Sequence, residues 1–421
     1  MGAGVSSSAS NLWIRDQTEI NDIVQRYRAT FSGSHPKHSL LRDFVFEMVV
    51  RMPYRLRGFG LNPVLFLRDC GSDDLKAVRN RIAAARQSQS ILIAVALDAR
   101  ASEALWELRE TNQTAMVVLS LSDYHSVLQA RSPKDELRRR ILLQVPYESL
   151  VPFTTSIPAA GPTFVGRQSE INRLVHGNQD YALCGPGGVG KSSLLRQVQW
   201  MLRINDPERY GRLVEVDLLG ISDPQAAANI IAKRVHPDSR AQDVTLKSLE
   251  PFLRRIRHGD ERFRNGPILL QLDEVGSLLE VDSHMTVSQY AHDYPGRLDD
   301  NCRNDSAFPL MQILRLARME GLIELMISSR TETRMMLEHP ENPFAVDAVR
   351  DSRNCSRLKL MEIQPLSNAE AQDLLLGPLA DLGCDLRRHG NRLGDVLRQC
   401  QGIPFHLADA GLELAEELRP A

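Results

Sequence analysis

The eight residues Gly185-Pro186-Gly187-Gly188-Val189-Gly190-Lys191-Ser192 limit what this chain can fold into more than any other stretch. They match the spacing GxxxxGK[ST] at every fixed position. An apolar run (181–184) precedes them and a helix-like stretch (193–202) follows. The order strand, glycine-rich turn, helix is what gives this spacing physical meaning. Glycines let successive backbone N–H groups turn inward around an anion, and the next helix adds the partial positive charge of its N-terminus. Lys191 is then expected to reach the β- and γ-phosphates of a nucleotide, and Ser192 to ligate Mg²⁺. Residues 185–193, Ser193 included, form the expected phosphate-binding set. Such a turn belongs at the C-terminal edge of a parallel sheet, so the fold class expected is α/β.

A second element suits the first. Ile268-Leu269-Leu270-Gln271-Leu272-Asp273-Glu274 is an apolar strand ending in two carboxylates. Asp273 is placed to hold the magnesium shell, directly or through water, and Glu274 to orient or deprotonate the attacking water. The competing reading makes the two acids caps of the next helix. A third strand, 323–327, ends in Ser328-Ser329-Arg330. Arg330 could sense the γ-phosphate, or it could serve a structural ion pair.

Together these residues resemble the STAND class of signal-transducing ATPases and the related origin-recognition branch of AAA+ proteins, over residues 160–410. Thr163-Phe164-Val165-Gly166-Arg167, with Glu170, is similar to the family's FVGR element. The resemblance implies that Phe164 and Val165 lie against adenine and that Arg167 helps close the pocket. Gln168 stands where the family usually has glutamate. Ser328-Ser329-Arg330 is similar to the sensor strand. Gly402-Ile403-Pro404 is similar to the GxP motif of a helical lid, whose proline packs near the base, and Ser367 through Glu370 read as the capped start of that lid. The implied activity is slow ATP hydrolysis with Mg²⁺. Larger members continue into a winged helix and a repeat-built sensor. This sequence stops soon after Pro404, so switching is expected to involve the N-terminal domain, a separate signalling protein or homo-oligomer formation.

The front of the chain reads differently. Apolar runs at 63–67, 91–97 and 115–121 alternate with helical patterns at 75–85 and 102–110, which implies βαβ units in a parallel sheet. A further helix is expected around 20–31. The expected domains are a Rossmann-like α/β domain (1–150), a proline-bearing linker (151–163), a P-loop core (164–366) and a helical lid (367–421). Asp69, Asp73 and Asp98 lie near strand ends, where ligands bind open sheets, although acids there are commonly solvated loop residues. Met1-Gly2-Ala3-Gly4-Val5-Ser6 matches the myristoylation pattern but reads first as a polar tail.

Composition narrows the function classes. The six cysteines include no CxxC pair, which argues for a reducing cytoplasm and against a zinc site. No apolar run approaches the ~20 residues a membrane span needs. A net charge of −2 gives no general pull toward nucleic acid, although Arg138, Arg139 and Arg140 form a local basic cluster. The expected ligands are ATP and ADP. The leading expectation is a nucleotide-controlled signalling switch, and the alternative is a DNA-associated AAA+ loader or regulator. A third reading makes the N-terminal domain itself an enzyme.

Overall fold

The computed structural model describes residues 26, 38–42, 45–51, 54–59, 61–68, 72–87, 90–113, 116–177, 179–237, 244–279, 309–331 and 358–419. The helix expected at 20–31 lies, Arg26 apart, outside the described residues, as do Gly2 and Asp69. No helix among the described residues is long and apolar enough to cross a membrane.

The chain divides into two compact units. One comprises Met1–Phe153, Gln372–Gly394 and Asp409–Ala421, the other Thr154–Ala371 and Asp395–Ala408. The division at Phe153 falls inside the expected linker. Of the stretch expected as a lid, residues 367–371 and 395–408, with the Gly402-Ile403-Pro404 turn, belong to the second unit, and 372–394 and 409–421 to the first.

In the first unit, strands β1 (His38–Arg42), β2 (Val45–Arg51), β3 (Leu61–Leu67), β4 (Leu92–Ala96) and β5 (Met116–Ser120) form one sheet in that order. The last three are parallel, as the alternation of strands and helices implies. β1 and β2 add antiparallel pairings that the sequence reading did not foresee, so this sheet is mixed. The β1–β2 connection is legible only weakly, because Asp43-Phe44 lacks the Asn-Gly or Gly-X chemistry that marks a tight hairpin. One sheet face, with Leu65, Leu67, Leu92, Ala94 and Met116, packs on helices α1 (Ser72–Gln87) and α2 (Ala99–Glu110). Phe66, on the opposite face by alternation, meets Tyr124 edge-to-face on α3 (Leu121–Gln129). The C-terminal stretches of this unit are tied in by hydrogen bonds. Arg55 N–H donates to Asp381 at 2.9 Å, and the Tyr147 hydroxyl donates to the Ala415 carbonyl at 2.8 Å.

The second unit holds a five-stranded sheet, parallel throughout. Its strands are β6 (Tyr181–Gly185), β7 (Leu213–Asp217), β8 (Ile268–Asp273), β9 (Ile323–Arg330) and β10 (Lys359–Glu362), in the order β10-β6-β9-β8-β7. Along β6 the side chains alternate between two cores. Tyr181 and Leu183 pack with α5 (Gln168–His176) and α6 (Lys191–Asn205), and Ala182 and Cys184 with α7 (Pro224–Val235), α8 (Leu249–Gly259) and α9 (Pro309–Met319). Burial of both faces is why this strand reads as a continuous apolar run. After β6 the chain crosses to the far edge, returns strand by strand to β9, and then places β10 on the other side of β6. The order therefore reverses at β6, and the glycine-rich turn sits at the C-terminal end of that strand, where open α/β sheets bind ligands.

Candidate functional site

The turn leaves β6 at Gly185 and enters α6 at Lys191. Gly188 and Gly190 adopt φ of +73° and +94°, a left-handed backbone suited to glycine. Val189 between them is fully buried and anchors the turn in the core. Pro186, Gly187 and Gly188 remain exposed above it. Lys191 is 4% exposed, and its ammonium donates to the carbonyls of Gly185 at 3.0 Å and Pro186 at 3.1 Å. Burial pulls its pKa below the ordinary lysine value, while Glu274 and Asp273 oppose that shift. The Ser193 hydroxyl accepts from Ala159 N–H at 3.1 Å, so its side chain is used to seat the proline-bearing segment on α6. The buried Gln197 continues that seat, accepting from Gly161 N–H at 2.6 Å.

Strand order brings the acidic pair beside the turn, with β9 lying between β6 and β8. Its register sets Arg330 beside Gly185 and Ser329 beside Cys184. Ser328 is fully buried, and its hydroxyl donates to Asp273 Oδ1 in a close contact. The same hydroxyl accepts from Glu274 N–H at 3.2 Å, and the Ser328 carbonyl accepts from Val275 N–H at 3.0 Å. Glu274 has φ of +55°. A non-glycine residue there costs on the order of 1–3 kcal/mol, which the three bonds around it offset. Its carboxylate comes within 3.7 Å of Arg330 Nε, and the Arg330 side chain is 59% exposed. The ion pair that rivalled phosphate sensing in the sequence reading is thus formed, and its partner is the candidate base.

The FVGR residues and the lid turn meet at the same loop. Val165 is buried, and the partly buried Phe164 packs on the core beneath. The Arg167 guanidinium donates to the carbonyls of Val189 at 2.6 Å and Gln364 at 2.9 Å. Burial lowers the Arg167 pKa, against the pull of Glu170 and Glu370. Pro404 opens helix α12 (Pro404–Glu417), and its ring lies in ordinary van der Waals range of where a Cβ on Gly190 would be. Phe405 N–H donates to the Gly188 carbonyl at 3.2 Å. Neither this contact nor the bridging role of Ser328 was visible in the sequence. Every residue read as part of the site thus lies in the second unit.

Ser192 and Asp273 offer hard oxygen donors, which suit Mg²⁺. Among the described residues no group of three or more His, Cys, Asp or Glu could hold a metal alone. An ion there would depend on phosphate oxygens and water for the rest of its shell.

Two other expectations resolve structurally. Asp98 caps α2, accepting from Ala101 N–H at 2.7 Å. Asp73 lies on α1, with its side chain outside the described residues. The basic cluster, on α4 (Pro133–Leu142), pairs with acids of its own unit: Arg138 with Asp135, Arg139 with Glu136, and Arg140 with Glu136 and Asp123.

No protein-family model matches this sequence, and no curated protein is similar to it. Solved structures with a similar fold include the Walker-type ATPase of Pyrococcus abyssi, at 16% identity and TM-score 0.37, covering 60% of this chain and 68% of that one. The ORC2 protein of Aeropyrum pernix is 13% identical at TM-score 0.41, covering 62% and 66%. A STAND protein with a tetratricopeptide repeat sensor from Pyrococcus horikoshii is 11% identical at TM-score 0.30, covering 57% and 28%. At these scores the likenesses carry no argument, and the functional reading comes from the site.

Proposed function

We propose that this chain binds Mg-ATP at the turn 185–192, hydrolyses it slowly, and uses the nucleotide state to control assembly or display of its N-terminal domain. One observation carries the reading: a glycine-rich turn, a buried lysine, a carboxylate pair and an arginine converge at one end of one parallel sheet. In this reading the turn's N–H groups and Lys191 hold the triphosphate, and Ser192 and Asp273 hold the magnesium. Mg²⁺, arriving with the nucleotide, would neutralise charge on the transferred phosphate. Glu274 orients the attacking water and accepts its proton, and Arg330 exchanges Glu274 for the γ-phosphate.

A switch needs an element whose contacts differ between two nucleotide states. The turn at Gly402–Phe405 supports one, because it bonds directly to the phosphate loop at Gly188. Slow turnover fits a carboxylate whose resting partner is Arg330. Resemblance to the STAND class motivates signalling as the output, with a second copy of the chain or a separate protein as the reader.

The test uses the full chain with ADP, ATP and a non-hydrolysable ATP analogue, followed by phosphate release and sedimentation at micromolar concentration. Assembly with the ATP analogue but not ADP supports the switch. A monomer in every state moves the output to a separate partner. Salt-dependent DNA binding would favour the loader reading instead.

A further inference from the structure

The two carboxylate oxygens of Glu370 serve two different parts of the nucleotide-binding unit. Oε2 accepts from Ser367 N–H at 2.9 Å and from the Ser367 hydroxyl at 2.7 Å, while that hydroxyl accepts from Glu370 N–H at 3.3 Å. This reciprocal pair is a capping box that opens helix α10 (Asn368–Asp381). Oε1 points elsewhere and accepts from the backbone N–H of Arg167 at 2.9 Å, across 203 residues of sequence.

The approach is built into the FVGR backbone. Gly166 has φ of +76°, and a Cβ at that position would collide with the Glu370 carboxylate. Arg167 follows at φ of +57°, a conformation side-chain-bearing residues seldom adopt. Its side chain is buried, with one terminal nitrogen braced on Val189 and Gln364. The other terminal nitrogen is buried with no hydrogen-bond partner among the described residues. A buried guanidinium under that constraint depends on its backbone being held in place, and Glu370 is the group that holds it.

We propose that Glu370 is a positioning residue of the nucleotide site. By fixing the Arg167 backbone it keeps the guanidinium on Val189, and so keeps the phosphate loop in the shape that presents its N–H groups. The proposal rests on reading 185–192 as an ATP site. It also explains the residue type: a carboxylate has two acceptor oxygens for two clients, whereas a glutamine has one and must abandon either the cap or Arg167.

The experiment titrates the full chain with a fluorescent non-hydrolysable ATP analogue and records melting without nucleotide. Lys191→Ala is the reference for lost binding. Ser367→Ala removes the capping hydroxyl but leaves Glu370 free to hold Arg167, so affinity should stay within about twofold of wild type. Glu370→Ala should bind about tenfold more weakly, as expected for loss of a hydrogen bond to a charged acceptor. Adding it to Arg167→Ala should cause little further loss, because both changes release the same brace. Glu370→Gln, the variant least apt to unfold, should weaken binding severalfold. Equal effects of Ser367→Ala and Glu370→Ala, additive effects with Arg167→Ala, or unchanged affinity in Glu370→Gln would each overturn the positioning role while leaving the ATP site intact. Wild-type affinity in Lys191→Ala would instead remove the ATP site itself and the proposal with it.

Discussion

The guanidinium of Arg167 donates to the carbonyl of Val189 at 2.6 Å, inside the glycine-rich turn. Val189 is therefore held twice, by its buried side chain in the core and by its carbonyl on an arginine from the FVGR segment. A turn fixed at its centre keeps its exposed glycines in one shape before any ligand arrives. Preorganisation of that kind reduces the ordering cost of binding.

Lys191→Ala removes the cation seated inside this turn. Loss of one charge-assisted contact to a phosphate should weaken ATP binding about ten- to a hundredfold, on the order of 1.5–3 kcal/mol. Isothermal calorimetry reads this directly, and unchanged affinity would show that the turn does not hold the triphosphate.

Glu274→Gln should retain nucleotide and lose turnover by roughly a hundredfold or more, since the amide neither accepts a proton nor carries charge. Ser328→Ala should lower turnover too, because Asp273 and the Glu274 N–H share that one hydroxyl. Phosphate release with saturating ATP distinguishes both from a binding defect. A Glu274→Gln chain that turns over at the wild-type rate would place the base elsewhere.

The glycine-rich turn, the acidic strand and the sheet carrying them were legible because each has a strong local signal: glycine spacing, apolar runs and a terminal acid. Strand order was not, since no local pattern says that β9 inserts between β6 and β8, and only that insertion brings Ser328 to Asp273. Ser367 and Glu370 were legible as a helix start, but the second task of the Glu370 carboxylate depends on a partner 203 residues away. In the first unit, the place of Asp98 after a strand leaves a ligand-binding and a solvated-loop role both open, and the structure gives it a local use as the N-cap of α2. The β1–β2 pairing is not legible because the connecting Asp43-Phe44 carries no turn chemistry.

Acid should loosen the Glu370 contacts. Burial alone would raise the Glu370 pKa, but hydrogen bonds from Ser367 and the Arg167 N–H, with the charge of Arg167, bring it below the ordinary glutamate value. The folded pKa is depressed, so the stabilisation is fully present above the unfolded glutamate range. It is lost as pH falls through the lower folded value. Melting of wild type and Glu370→Gln should therefore differ near neutral pH and converge in acid. A gap that persists unchanged below that range would mean that the ionised carboxylate is not what stabilises the contact.

The lid turn can be tested at Gly402 without touching a charged group. Gly402 has φ of +72°, and a Cβ there would run into the backbone carbonyl of Leu366. That carbonyl cannot swing away freely, because Leu366 N–H is bonded to the Gly402 carbonyl at 2.8 Å and Leu366 immediately precedes the capping box. Gly402→Ala therefore combines left-handed strain with a backbone collision, and should cost on the order of 1–3 kcal/mol or more of stability. The displaced turn carries Phe405, whose N–H bonds to Gly188 in the phosphate loop, so nucleotide affinity should fall along with melting temperature. Gly394→Ala is the matched control. Gly394 lies within helix α11 (Gly390–Cys400), and nothing stands within 4 Å of a Cβ built on it. Alanine there should stabilise by roughly 0.5–1 kcal/mol, the ordinary gain from replacing a helical glycine, and leave nucleotide binding alone. Urea unfolding and ATP titration of both variants give the comparison. Equal effects at the two glycines would mean that the turn after Cys400 is not locked against Leu366, and that the phosphate loop does not depend on it.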